Sequence, residues 1–395
     1  MTRPMELGLL PFLVLLAILP FPGTVALRLL CLAAAFVYAI YVWRRAAVPP
    51  IPLKSAIAVW TVVALTSLFY AVDPGYSLSE IKNELGYTMM SFVAFFVITS
   101  DDKRLKWMLF ALSAGAFALC LLALVERFFQ GHWYEWGGYG GTGSFAAYLV
   151  ALVPMLVLLA FYFQDVRLRW LSLTLLGLLL AAGFFSLQRI IWPVLFLQSV
   201  VALLLYRKVF GFSRGRVMVV LVFLVLVASL FLSLAQMNRL NVELPSTQIK
   251  NDDRLVFWPK VAGRIIEQPF IGAGFGRSAM KAAHRDLIPR ENTLLWHAHN
   301  VVLNYGLAMG VPGIIAILLV FGALIREYAH FWRSGDRRLR MLGACGIVLV
   351  LGVFSRNMVN DFFLRDQALL FWALNGILLG VGCRQLSKVE APQAA

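Results

Sequence analysis

Residues 301–340 read VVLNYGLAMGVPGIIAILLVFGALIREYAHFWRSGDRRLR. The stretch opens as an apolar run from Val301 with no charged residue before Arg326, then passes into a basic cluster, Arg326, Arg333, Arg337, Arg338 and Arg340. A bilayer core about 30 Å thick takes about 20 mostly apolar residues as a helix. The run therefore reads as a membrane span, and the cluster as the positive charge that anchors one end of it.

The same alternation recurs along the chain. Of 395 residues, 61% are hydrophobic and only 14% charged, with mean hydropathy +0.80. That is more apolar side chain than a soluble core of this length hides. Apolar runs begin near Leu7, Val25, Ser55, Gly86, Trp107, Ser144, Trp170, Ile190, Val217, Val301, Met341 and Gln367. The expectation is an all-α polytopic membrane protein of about 12 transmembrane helices. Met1–Glu6 with Arg3, followed by an apolar run, has the outline of a signal peptide but no small-x-small cleavage site, so it reads as an uncleaved first span.

Sidedness follows from the clusters. Arg44/Arg45/Lys54, Lys103/Arg104/Lys106, Arg167/Arg169, Arg207/Lys208/Arg214/Arg216 and the cluster from Arg326 to Arg340 fall on one side of the twelve-span plan, with Arg3, Arg384 and Lys388. The positive-inside rule assigns that side, and both termini, to the cytoplasm. The net charge of +15 is thus accounted for by topology, and short clusters between spans do not make a nucleic-acid surface. Cys31, Cys120, Cys345 and Cys383 all lie in apolar runs and read as packing residues. No internal repeat or interdomain linker is evident, so residues 1–395 read as one domain.

The opposite side carries the unusual sequence: RFFQGHWYEWGGYGGTG (127–143), AVDPGYSLSEIKNELG (71–86) and one long loop, residues 237–298. Connections of that length are functional or disordered as a rule. Here Leu255, Trp258, Val261, Ile265 and Ile266 keep helical spacing behind an Asp252/Asp253 start, and a Pro/Gly-rich stretch follows. An amphipathic helix lying on the outer face of the membrane domain is expected, making the loop partly helical.

Candidate chemistry gathers on this side. Arg189 stands in SLQRIIWP, a very short turn, and Arg254 in DDRLVFW; a guanidinium keeps its charge and grips phosphate oxygens bidentately. For most interfacial arginines a lipid headgroup or an acid is the commoner partner. Trp258 lies one turn from Arg254 and either shapes a site wall or anchors the helix at the interface. Two of the five histidines, His297 and His299, sit two residues apart where the loop meets the span. A neutral imidazole accepts a proton from an attacking hydroxyl, which makes His299 a candidate general base; a capping or interface role is the stronger reading for His297. A metal site built from His284, His297 and His299 is disfavoured, because no carboxylate or cysteine stands at a ligand spacing.

The pattern His299-Asn300, nine residues, Gly310, two residues, Gly313 resembles the hallmark of the O-antigen ligase and polymerase superfamily of bacterial membrane glycosyltransferases. Arg254-x-x-x-Trp258, IIEQPFIGAGFG, SLQRIIWP and GGTGSFAAYLVALVP resemble further segments of that family. The resemblance implies that the long loop is periplasmic, that His299 activates the acceptor hydroxyl, and that Arg254 and Arg189 hold the diphosphate of an undecaprenyl-diphosphate-linked glycan. It implies substrate contacts at Trp258, Asn300 and His297, a structural motif at Gly310 and Gly313, and no metal or other cofactor. Among members, an O-antigen ligase is favoured, passing the glycan to lipid A-core oligosaccharide in lipopolysaccharide biosynthesis at the bacterial inner membrane, with inversion if one displacement suffices. An O-antigen polymerase stands close behind. A lipid or sugar transporter is the reading from another class, but it calls for charge through the bilayer, and Arg28 is the one clear basic residue within a span. Lys82, Arg264, Arg290, Arg356 and Arg365 fall near the outer interface without an assigned role.

Overall fold

The computed structural model describes residues 7–129, 141–211, 253–288, 296–359 and 363–390, apart from Leu187, Arg189, Ala279, Met280, Ala282 and Leu364. Among these residues there are thirteen α-helices and no strand. They are α1 (Leu10–Ile18), α2 (Val25–Trp43), α3 (Lys54–Thr66), α4 (Pro74–Glu80), α5 (Tyr87–Ile98), α6 (Asp102–Phe129) and α7 (Gly141–Tyr162). After them come α8 (Val166–Phe185), α9 (Ile191–Phe210), α10 (Asp253–Glu267), α11 (Val301–Arg333), α12 (Arg337–Asn357) and α13 (Arg365–Glu390).

The chain is an all-α polytopic membrane protein. Eight of the described helices, α2, α6 to α9 and α11 to α13, are long and apolar enough to cross a membrane. The expected count of about twelve is not reached among the described residues. The run at Leu7 gives only the nine residues of α1 after a 3-10 turn, and the run at Ser55 gives the 13 of α3. The run at Gly86 gives the 12 of α5, entered through α4 and a π-helix, Ile81–Gly86. These helices are shorter because part of each apolar run is spent inside the protein: Phe92, Phe95, Phe96, Val97 and Ile98 of α5 are all buried. The expected span at Val217 lies outside the described residues.

Starts and contacts follow local chemistry. Asp73, Asp165, Asn300 and Asp336 cap α4, α8, α11 and α12, each side chain accepting a backbone N–H of the first turn. At the core, α13 lies along α5. Gly376 and Gly380, four residues apart, let the backbones meet, since a Cβ on either would collide with the Phe92 or Phe96 carbonyl. Trp372 of α13 stacks on Trp60 of α3 with ring centroids 6.0 Å apart.

The two ends of the bundle differ. At one, Asp102 accepts from Tyr162 (2.7 Å), Arg338 (2.5 Å) and Gln385 (3.0 Å), and Arg384 donates to the Phe96 and Val97 carbonyls. That end gathers the described basic clusters. The other end holds the first turns of α11 and α13, the last turn of α12, α4 with its π-helix, and α10. A buried charge also lies between helices: Arg28 of α2, 2% exposed, pairs with Asp366 in the first turn of α13.

Candidate functional site

Helix α10 forms where the sequence predicts it, and Val261 and Ile265 of the expected apolar positions are buried, with Trp258 packed beside them. Phe257, Val261 and Ile265 are buried and pack with Ala298 and Leu307, whereas Leu255 and Ile266 are 48% and 76% exposed. Two apolar stripes run along this helix, and only one meets α11. Burial of three such side chains contributes about 1.5–3 kcal/mol each relative to water, enough to hold the loop on the bundle.

The loop is also tied in by hydrogen bonds that explain the glycines. Gly310 has φ 68° and ψ −162°, so α11 breaks there, and Pro312 has no N–H to donate. The break frees the carbonyls of Leu307 and Ala308 and the N–H of Val311. The segment after α10 takes all three: Ala273 N–H donates to Leu307 (2.8 Å), Gly274 N–H to Ala308 (2.9 Å), and Val311 N–H to the Pro269 carbonyl (2.7 Å). A Cβ on Gly310 would collide with that carbonyl, and one on Gly313 with the Tyr305 carbonyl. Beyond it, Val72 N–H donates to Ala273, Phe275 N–H to Ser67 Oγ and Ser278 N–H to Tyr76 Oη, so the IGAGFG run is a strap between α11 and the α3–α4 turn.

On this frame sit the histidines. Asn300 caps α11 through Oδ1 to Leu303 N–H (3.1 Å) and reaches the Met358 carbonyl with Nδ2 (3.0 Å), which gives it a positioning role. Trp258 Nε1–H donates to the Ala298 carbonyl (2.8 Å), and Ala298 N–H donates to Asn304 Oδ1 (2.9 Å). The residue between the histidines is thus held on both sides. His299 takes a left-handed backbone, φ 50°, uncommon for a residue with a Cβ and concentrated at functional sites. Its N–H donates to His297 Nδ1 (3.1 Å), and the two rings stack at 3.8 Å.

These contacts separate the pair. His297 is 3% exposed, and burial, then the neighbouring His299 and Arg277, pushes its pKa down to about 2. With Nδ1 accepting a backbone N–H, its proton resides on Nε2. His299 is the half-buried member, within reach of a ligand.

Arg254 NH1 donates to the Val359 carbonyl (2.6 Å), beside the Met358 carbonyl taken by Asn300. Helix α12 ends here with carbonyls that no further turn satisfies, and the loop supplies the donors. Arg254 and the histidine segment are therefore fixed to one point. Arg189 lies outside the described residues, as does Arg290. Among the residues without an assigned role, Arg264 is engaged by Glu267 (3.2 Å) and Asp286 (2.6 Å), Lys82 is exposed on the π-helix, and Arg365 opens α13 with φ 39°. Arg356, 1% exposed, reaches toward the Gly143 carbonyl at 3.5 Å.

Residues 178–318 match the O-antigen ligase family. The match covers about a third of the chain and shows what that segment is similar to. The matched segment runs from α8 into α11 and contains Arg254, both histidines, Gly310 and Gly313. A protein of Rickettsia conorii named "putative polysaccharide ligase" is 26% identical over 151 residues, 37% of this chain. The matched stretch is 34% of that relative, so the chain spans about a third of its length. Sequence reasoning missed Asn304 and Trp296, which touch the histidine segment: Asn304 Oδ1 holds the Ala298 N–H and the Trp296 ring meets His297 edge-on at 4.5 Å. Asn304 lies one turn from Asn300, the spacing at which a cap and a first-turn side chain meet, and that was a usable signal.

Proposed function

We propose that the protein is an O-antigen ligase that moves a glycan from undecaprenyl diphosphate to lipid A-core oligosaccharide at the periplasmic face of the inner membrane. The observation that carries this reading is the left-handed His299, followed by Asn300, which shares the end of α12 with Arg254 at the end of the bundle opposite the basic clusters. A donor whose tail stays in the bilayer offers its diphosphate at such an end.

In this mechanism the acceptor hydroxyl oxygen bonds to the donor's anomeric carbon as the bond from that carbon to the diphosphate oxygen breaks. The hydroxyl proton passes to the His299 ring, worth about 10²–10⁴ in rate for a well-placed base. The diphosphate leaves with the pair of electrons, and Arg254, with Arg189, offsets its growing charge. The Val359 carbonyl, taking one N–H of Arg254, sets the direction of its fork. His297 stays neutral and braces His299 rather than competing for the proton. One displacement inverts the anomeric configuration.

Purified protein in nanodiscs, supplied with an undecaprenyl-diphosphate-linked glycan and lipid A-core, tests the proposal by product analysis. Glycan attached to lipid A-core with inverted linkage is expected. Lengthening of the glycan on its carrier would make the protein a polymerase, and no transfer to either acceptor would contradict the enzymatic reading.

A further inference from the structure

Residues 296–300 form no helix or strand, so their buried backbone groups take partners from elsewhere in the fold. Ala298 is fully buried, and side chains supply both of its backbone groups: Asn304 Oδ1 accepts its N–H (2.9 Å), and Trp258 Nε1–H donates to its carbonyl (2.8 Å). That carbonyl and the His299 N–H belong to one trans peptide, which turns as a rigid plane. Trp258 fixes one edge of the plane, and His297 Nδ1, accepting the His299 N–H at 3.1 Å, fixes the other. The tilt of this plane sets φ of His299, 50°. A left-handed backbone at a residue with a Cβ persists only where surrounding contacts impose it, and here the two contacts on the peptide do so.

We infer that Trp258 is a positioning residue for the base: its indole N–H holds the Ala298–His299 peptide in the orientation that aims the His299 ring at the acceptor hydroxyl. The inference rests on the proposed transfer reaction and adds what sets the geometry of its base. An indole has a single N–H. Trp258 gives it to Ala298, so it does not serve a substrate hydroxyl, and the ring packs against the Phe257, Val261, Ile265 and Ala298 cluster that docks α10 on α11. Without this donor the buried carbonyl is unsatisfied, and a peptide that turns to find another partner carries the His299 side chain with it. A displacement of about 1 Å costs a reaction about 10²-fold in rate. Arg254 stands one turn before Trp258 and holds the Val359 carbonyl (2.6 Å), so one helix sets both the arginine offered to the diphosphate and the base.

Removing the donor while keeping the ring tests this. Wild-type protein in nanodiscs is compared, well below its melting temperature, with Trp258→Phe and with a variant whose Trp258 is replaced by benzothienylalanine, the isostere that has sulfur in place of the N–H. Transfer of glycan from the undecaprenyl-diphosphate carrier to lipid A-core gives kcat, and the Kd of each substrate is measured alone. Labelling with 15N-histidine adds a readout that needs no transfer: the chain has five histidines, so exchange of the His299 amide can be followed by itself. Both variants should lower kcat about ten- to a hundredfold with both Kd values unchanged, and the His299 amide should exchange faster as its peptide comes loose. Full kcat in the isostere would show that only the ring matters and overturn the inference. Raised substrate Kd with kcat kept would make Trp258 a substrate contact, and lowered kcat with unaltered His299 exchange would mean that it does not act through His299; either result overturns the inference. If the wild type transfers no glycan, the ligase reading falls, and faster His299 exchange in both variants would still support Trp258 as what holds that histidine.

Discussion

His299 and His297 are two residues apart and do different work because the backbone treats them differently. The left-handed turn at His299 points its N–H at His297 Nδ1, which holds only while that nitrogen is unprotonated. The pKa of His297, pushed to about 2, is far below the usual imidazole value of about 6.5. The unfolded chain therefore binds the proton more readily than the folded one, so this site's stabilising contribution is complete above about pH 6.5 and declines as pH falls toward 2. His297→Gln retains an acceptor for the His299 N–H and removes the titration. Thermal melting across pH 4.5–7.5 should show a shallower acid-side loss in that variant than in the wild type; equal slopes would remove His297 as the cause. That two histidines stand where the loop meets the span, with His299 the one proposed as the base, was readable from the sequence. Its backbone strain was not, because φ depends on Trp258 and Asn304 gripping the intervening residue from elements that sequence spacing alone does not bring together.

At the scale of elements, the broken helix α11 and the strap form one unit. Two glycines three residues apart were legible as a motif, yet their physical purpose was hidden: a break at Gly310 leaves backbone groups that only the Pro269–Gly274 segment satisfies. Gly310→Ala adds a Cβ against the Pro269 carbonyl at a positive φ. Destabilisation of about 1–3 kcal/mol is expected from the strain, with the strap lost first. Hydrogen exchange should show the Ala273 and Gly274 amides opening before α13; uniform exchange would mean that the strap is not held by the break. Helix α10 was legible as an element and, at Trp258, Val261 and Ile265, in its packing, whereas Leu255 and Ile266 face outward. Its sequence carries apolar residues on two sides, and periodicity cannot say which side meets protein when the other also tolerates an apolar surrounding. The π-helix that carries Glu84 leaves no periodic signature at all.

Over the whole molecule, the alternation of apolar runs and basic clusters was the most legible feature, since each cluster repeats the same electrostatic preference independently. Span lengths were less so, because helices such as α5 are buried in protein and need not match a bilayer. The described basic clusters gather at one end and the histidine segment and Arg254 at the other, so the molecule separates what anchors it from what is proposed to react. In the proposed reaction the donor's lipid tail and the acceptor's lipid would both approach from the bilayer, and their polar heads would meet at the loop end. The most direct test of this account is a paired measurement on His299→Ala in nanodiscs: affinity for the undecaprenyl-diphosphate-linked glycan, and the rate of its transfer to lipid A-core. Donor affinity within a few-fold of wild type with transfer slowed about 10²–10⁴-fold is the predicted result; transfer at the wild-type rate would contradict the assignment of His299 as the base.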